Sequence, residues 1–355
     1  MTDTPKPFLA AAIQSASIFM DRTRSTDKAC ELIAEAGRGG ARLIVLPEAF
    51  IPSYPSWVWV LPLTERAEWG ALHRAMVENA VQVPGPETGR LGAAARAAGA
   101  WVAIGVDEAG PTGTIYNTIL WFDPSGRLVE SRRKLMPTGG ERMVWKAGEA
   151  VAPRVHDTPL GRLGGLLCWE NYMPLVRYAM YQQGMQVLVA PTWDRAEPWI
   201  ASMRHIAREG RTYVIGCCQA VRRDDIPDSR PFKRFLAADK EWVNDGNSVI
   251  VDPDGAVLAG PLTAKEGILV AEIDPGRTLS SKWIFDCVGH YQRDDLFEFR
   301  VRVEAVGSAS AVVKPTLPAG TPRRSSTARA VVATRPSPKP RRKSARVTTA
   351  GARKR

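Results

Sequence analysis

At 355 residues, 45% hydrophobic and 24% charged, the chain can bury a substantial core in one large domain or two ordinary ones, which excludes a disulfide miniprotein and a wholly disordered chain. Its formal charge of +11 raises the question of an anionic partner, but the charge is local. Residues 307–355 hold 13 Lys and Arg and no acid, while the first 306 hold 35 basic residues against 37 acidic ones. Five Cys in irregular positions and four His without zinc-type pairing argue against a disulfide framework or a structural metal, and no cofactor is expected. The first residues, MTDTPKPFLAAAIQ, lack the basic start and long apolar run of a signal peptide, and no later stretch reaches membrane-spanning length. The expectation is a soluble cytoplasmic protein.

In chain order, Phe8 to Ile13 reads as a strand, Thr26 to Ala36 as a helix and Leu43 to Leu46 as a short buried strand. Gly89 to Ala98 is helical and Trp101 to Val106 a strand. Ile115 to Phe122 and Leu128 to Lys134 form a hairpin across Asp123-Pro124-Ser125-Gly126. Arg162 to Leu167, Gln186 to Val189 and Thr212 to Cys217 are strands between helices at Pro174 to Gln183 and Trp199 to Glu209. A second hairpin joins Asn247–Val251 to Ala256–Leu258 across Asp252-Pro253-Asp254-Gly255. Alternating strands and helices with hairpins included predict an α/β protein with mixed sheets covered by helices. Past Val306 the composition turns to Ser, Ala, Thr, Pro, Arg and Lys without aromatics, which predicts a disordered tail over 307–355 beside a body over 1–306.

Three reactive groups fall at strand ends. Glu48 in VLPEAF follows an apolar strand, Lys134 ends LVESRRK, and Cys168 in GGLLCWENYMPL closes another apolar strand shortly before a Pro-initiated helix. A strand end facing a helix amino terminus is a place where a thiolate and developing negative charge are stabilised. By position alone each residue keeps a plain alternative: a buried cysteine, a solvated loop acid, a surface lysine.

Taken in order, VLPEAF, RRKLMPTGGERMVW and LLCWENYMPLVRYAMYQQG resemble the nitrilase superfamily, and within it the nitrilase branch proper, over about residues 8 to 300. MRHIAREGRTYVIGCCQ, GNSVIVDPDGAVLAGPL and DCVGHYQRDDLFEF extend the resemblance. It implies a four-layer αββα sandwich, a catalytic triad of Glu48, Lys134 and Cys168, and a further site glutamate at Glu141. In that scheme Glu48 takes the thiol proton, Cys168 adds to a nitrile carbon, and Lys134 stabilises the charge that develops, helped by backbone N–H groups near Trp169. A thioimidate and then a thioester form before the carboxylic acid and ammonia are released. The same triad also suits cyanide or nitrile hydration and amide hydrolysis. Tyr54, Trp57 and Trp59, with Trp193 and Trp199 farther along, are candidates for an apolar substrate wall, Trp193 foremost, with Trp169 beside the cysteine; aromatics of this kind also serve as core.

The resemblance further implies a homo-oligomer built on a dimer, with a spiral or filament as its extension, while the basic tail leaves nucleic-acid binding as the weaker alternative function. Where the family commonly reads THAER, this chain reads Thr138-Gly139-Gly140-Glu141-Arg142, from which a more flexible loop is expected. WGxG becomes Trp145-Lys146-Ala147-Gly148, GGSVI becomes Gly246-Asn247-Ser248-Val249-Ile250, and GHYxRPD becomes Gly289-His290-Tyr291-Gln292-Arg293-Asp294-Asp295.

Overall fold

A computed structural model describes residues 5–301. Its first strands are β1 (Phe8–Gln14), β2 (Ala41–Val45), β3 (Trp101–Ala109), β4 (Ile115–Phe122) and β5 (Leu128–Arg133). They are followed by β6 (His156–Thr158), β7 (Gly161–Gly165), β8 (Val187–Thr192), β9 (Tyr213–Cys218), β10 (Ala220–Arg222), β11 (Trp242–Val251), β12 (Val257–Thr263) and β13 (Gly267–Ile273). The first sheet has the order β13-β1-β2-β3-β4-β5, and the second runs β10-β11-β9-β8-β7-β6 with β12 paired to β11. β1, β2 and β3 are mutually parallel, as are β7, β8 and β9, and the remaining pairs are antiparallel.

The central strands are largely apolar because both their faces are covered. On β1, Ala10 and Ala12 face the second sheet, while Ala11 and Ile13 face helices. β4 divides likewise, with Ile119 and Trp121 inward and Leu120 and Phe122 outward. The inner residues meet Val187, Val189, Tyr213, Ile215 and Cys217 of the second sheet in a single core. Helices α1 (Arg22–Arg38) and α3 (Pro86–Ala98) cover the outside of the first sheet through Ala29, Ile33, Leu91 and Ala95. On the second sheet, α4 (Pro174–Gln182) and α5 (Glu197–Gly210) contribute Met180, Tyr181, Trp199, Met203 and Ile206. The expected αββα sandwich is therefore the architecture observed.

Most predicted elements recur within a few residues. Helix α1 begins earlier than its apolar pattern because Asp21 caps it, its side chain accepting from the Arg24 N–H at 2.9 Å. Both predicted hairpin turns are closed by the same device. Asp123 Oδ1 accepts from Ser125 N and Arg127 N, and Asp252 Oδ1 accepts from Asp254 N and Ala256 N. Helix α2 (Arg66–Asn79) has no counterpart among the predicted elements, since only Leu72 and Met76 of its fourteen residues are buried and no apolar stripe is written into it. Strand β13, half-exposed along its length, escaped for a related reason. The strand expected to run to Leu167 stops at Gly165, which frees Leu166 and Leu167 to turn Cys168 out of the sheet. The predicted tail, 307–355, lies outside the described residues.

One close approach in the first sheet positions the site. Gly105 on β3 accepts the Phe50 N–H and donates its own to the Pro47 carbonyl, so the segment after β2 lies directly against it. A Cβ at Gly105 would fall 2.5 Å from Ala49 N and 2.6 Å from the Cα of Glu48. Gly105→Ala is expected to lower stability by about 1–3 kcal/mol, the usual cost of overpacking, read as a lower guanidinium midpoint.

Candidate active site

Glu48, Lys134, Glu141 and Cys168 converge at one end of the sandwich, and all four are buried. Glu48 and Lys134 stand at the ends of β2 and β5 in the first sheet, whereas Cys168 follows β7 in the second. The Lys134 ammonium donates to Glu48 Oε1 at 2.7 Å and to Glu141 Oε2 at 2.8 Å. Glu48 Oε1 also accepts from Asn117 Nδ2 at 2.7 Å, and its Oε2 accepts from the Trp193 N–H at 2.9 Å. From Glu141, Oε2 accepts the Thr138 N–H at 2.7 Å and Oε1 the Tyr54 hydroxyl at 2.7 Å. Cys168 Sγ accepts from the Thr192 hydroxyl at 3.2 Å.

Cys168 opens a short 3₁₀ turn, Cys168–Tyr172, with φ of +48°. A non-glycine residue in the left-handed region costs about 1–3 kcal/mol, so the surrounding contacts must hold it there. Asn171 is one such contact, its amide donating to the Leu166 and Cys168 carbonyls at 3.1 and 2.8 Å. Glu170 is another. Its carboxylate forms a two-pronged pair with Arg132 at 2.8 Å on each oxygen and accepts the N–H groups of Leu135 and Leu167, both at 2.7 Å. One buried side chain thus grips the residue after Lys134 and the residue before Cys168.

Burial and neighbouring charge oppose one another here. Burial pushes the Glu48 carboxyl above its ordinary range even though Lys134 and Asn117 favour its ionised form. Cys168 is pushed up by burial and by the adjacent Glu48, so its resting form is the thiol. For Lys134, burial alone would depress the ammonium, but the Glu48 and Glu141 carboxylates outweigh it and hold the charge firmly. Glu170 falls below the usual carboxylate range because Arg132 and two backbone N–H groups overcome its desolvation.

The ligand atoms of Glu48, Glu141 and Cys168 lie within 4.8 Å of one another, a spacing that suits a metal ion. The cation among them is instead the Lys134 ammonium, already bonded to both carboxylates, so the residues present do not fit an added metal.

The aromatic candidates separate. Tyr54 and Trp193 stack with ring centroids 4.2 Å apart, next to Glu141 and Glu48 respectively, and border a narrow pocket lined also by Ser17, Phe19, Ser53 and Gln219. Gln219 donates to the Glu48 carbonyl at 2.9 Å, which joins the pocket to the catalytic cluster. Trp169 is half-exposed, its indole N–H donating to Asp194 at 2.8 Å. Trp57 is fully buried, edge-on to Phe19 and tilted against Phe232, and it borders a second pocket with Leu63, Trp69 and Met143. Trp59 donates from Nε1 to the Tyr54 hydroxyl at 3.0 Å.

The Thr138–Arg142 segment is a pinned turn, not the looser loop its glycines predicted. Thr138 and Glu141 bond to each other through side chain and backbone, and a Cβ on Gly140 would meet the Val58 carbonyl at 2.8 Å. Asn117 and Glu170 were missed as site residues. The available signals were an amide inside the otherwise apolar run IYNTILWF and an acid two residues after the cysteine.

The description carbon-nitrogen hydrolase fits residues 9–282 of the chain by family model. The bifunctional nitrilase/nitrile hydratase NIT4B of Nicotiana tabacum is 41% identical over 308 residues, covering 85% of this chain and 88% of the relative. A nitrilase of Bradyrhizobium diazoefficiens is 41% identical over 317 residues, covering 88% and 98%. Among solved structures, the C. elegans NitFhit protein superposes with a TM-score of 0.66 at 21% identity, covering 86% of this chain and 70% of that one, a likeness of fold. The chain belongs to the nitrilase superfamily of carbon-nitrogen hydrolases. Within that superfamily, the relatives at 41% identity mark the nitrilase branch.

Removing the charge of Glu170 would leave Arg132 buried without its counter-charge. Glu170→Gln is expected to cost about 3–5 kcal/mol of stability, measurable by equilibrium unfolding, as is usual for breaking a buried pair from one side.

Proposed function

We propose that this chain hydrolyses an organic nitrile to its carboxylic acid and ammonia, with Cys168 as nucleophile, Glu48 as general base and Lys134 as the fixed positive charge. The observation that carries the reading is the burial of one ammonium between two carboxylates, with a thiol in the same cluster. Two like charges would not share such a volume without the cation, and the cation leaves one carboxylate free to exchange protons. Glu48 takes the thiol proton as sulfur attacks the nitrile carbon, and the nitrile nitrogen, drawing on Lys134 and Glu48 for its proton, becomes the imine nitrogen of a thioimidate. Water activated by Glu48 adds to that carbon, ammonia leaves and a thioester remains. A second water releases the acid and restores the thiol. Glu141 orients Lys134, and Tyr54 and Trp193 wall the substrate's side chain; Trp169, at the half-exposed rim, meets it from outside.

A second product has support from one relative, the bifunctional nitrilase/nitrile hydratase of Nicotiana tabacum. If sulfur leaves the tetrahedral intermediate before nitrogen does, the product is the amide. Product analysis by mass decides the ratio.

For the wider molecule, the reading is a catalytic body over 1–306 with a basic tail over 307–355, acting in the cytoplasm as a homo-oligomer. No helix among the described residues is long and apolar enough to cross a membrane. Support for assembly comes from exposed Leu279, Trp283, Ile284, Tyr291, Leu296 and Phe297, which cluster in the last described residues. A spiral or filament is the extended form of that assembly.

Cys168→Ala is expected to abolish acid and amide formation from every nitrile tested, with folding retained by circular dichroism; measurable turnover in that variant overturns the triad. Since Glu48 must be ionised to act and burial raises its pKa, kcat/KM is expected to rise with pH through a midpoint above 4.5, the ordinary value for the group. Lys134 stays charged throughout, so no alkaline loss is expected near 10.5, its ordinary value. Activity is also expected to be unchanged after dialysis against excess chelator, assayed by ammonia release.

A further inference from the structure

Asp107 lies inside β3, is fully buried, and bears no part in the mechanism above. Its Oδ1 accepts from the Trp145 indole N–H at 2.7 Å and the Ser53 backbone N–H also approaches the carboxyl group, while Oδ2 is buried without a well-formed hydrogen bond. Directly opposite in the antiparallel β3–β4 pair stands Asn117, whose Nδ2 donates to Glu48 but whose Oδ1 is likewise buried without a partner. Side chains of directly opposed residues leave the sheet on the same face with Cβ atoms about 4.5–5.5 Å apart. Two unpaired acceptor oxygens therefore belong to neighbouring side chains, and what they lack is a proton.

We propose that Asp107 is a neutral carboxylic acid whose proton is donated to the Asn117 side-chain carbonyl, fixing the amide in the one orientation that lets it donate to Glu48. The chain of bonds runs from Trp145 Nε1–H to Asp107 Oδ1, from Asp107 Oδ2–H to Asn117 Oδ1, and from Asn117 Nδ2–H to Glu48 Oε1. Each donor meets an acceptor, and both unpaired oxygens are accounted for. Asn117 matters doubly, because its backbone carbonyl accepts the Lys134 N–H at 2.7 Å. At the other end, Trp145 meets Tyr54 edge-on at 5.5 Å and lies 5.6 Å from the Lys134 ammonium, so Asp107 braces the cluster from two sides without touching the reacting atoms.

Charge balance supports the neutral form. The charged groups facing the pair are Glu48 from the end of β2, Glu141 from its turn and Lys134 between them, which already sum to one negative charge. No cation among the described residues bonds to Asp107. Burial, with Glu48 and Glu141 adding to it, pushes the Asp107 carboxyl well above the usual range despite the Trp145 indole and Ser53 backbone N–H groups, which favour the ionised form.

Asp107 is on this reading a positioning residue, and the role rests on the assignment of Glu48 as the base. Asp107→Asn supplies a neutral amide that can accept from Trp145 and donate to Asn117. It is expected to leave the acid limb of the kcat/KM profile in place and kcat within about three-fold of wild type, whereas Asp107→Leu, which removes the donor, is expected to lower kcat about ten-fold or more with KM little changed. An ionised Asp107 gives a different result: Asp107→Asn would then remove a negative charge beside Glu48 and move the acid limb down by about one unit, overturning the proposal. A second measurement is independent of activity. The infrared difference spectrum of wild type minus Asp107→Asn at neutral pH is expected to contain a protonated carboxylic C=O band, and a carboxylate pair of bands in its place also overturns the proposal. Because that band reports Asp107 directly, failure of the Glu48 assignment would be seen in the kinetics while the band persisted.

Discussion

The site depends on an ammonium ion placed where water cannot reach it. Lys134 is wholly buried, and desolvating a charge is costly unless paired oxygen atoms replace its hydration. Glu48 and Glu141 supply those atoms, and in doing so they fix the relative positions of three chain segments that are 86 and 7 residues apart in sequence. The same arrangement creates the conflict that the chemistry exploits. Burial makes Glu48 bind a proton more readily than an exposed acid even beside Lys134, and burial together with the adjacent Glu48 makes the neighbouring thiol resist giving one up. The proton therefore rests on sulfur before substrate arrives, with Glu48 beside it as the acceptor.

The fold makes this possible by delivering functional groups at and just beyond the ends of strands. β2 from Leu43 onward and β8 are apolar and covered on both faces, and the residues just beyond them are free to be polar. Glu48 appears three residues beyond β2, Lys134 immediately after β5, Cys168 three residues beyond β7, and Trp193 immediately after β8. Support then arrives from residues that stand within strands, Asn117 on β4 and Thr192 at the end of β8, where a polar group is tolerated because its partner is a member of the cluster.

Much of this was legible in the sequence. The hairpin turns were readable because an Asp-Pro-x-Gly run has its own local mechanism, and the triad because each member sits in a short distinctive string. The hidden features depend on pairs that are distant in the chain. Glu170 stands within the most recognisable string, yet its meaning comes from Arg132, 38 residues earlier. Gly105 gave no sign that it must admit the Glu48 segment, since close backbone approach is invisible until both segments are placed. Trp57 and Trp193 are alike as letters; one packs against Phe19 and Phe232 and the other stacks on Tyr54 beside Glu48, partners that the sequence does not reveal. Helix α2 went unread because two buried side chains do not make a period.

The Arg132–Glu170 pair also joins the two layers of the sandwich. Arg132 belongs to β5 in the first sheet and donates to the Gly165 carbonyl at the end of β7 in the second, while Glu170 reaches back to Leu135. The apolar contact between the sheets is strong but has no preferred direction, and by itself it would tolerate small sliding of one sheet over the other. Glu48 and Lys134 ride on one sheet and Cys168 on the other, so any such slip would be felt first as a change in the gap between the carboxylate and the thiol. A strap of directional bonds beside that gap makes the alignment of two whole sheets and the spacing of a few reacting atoms a single mechanical quantity.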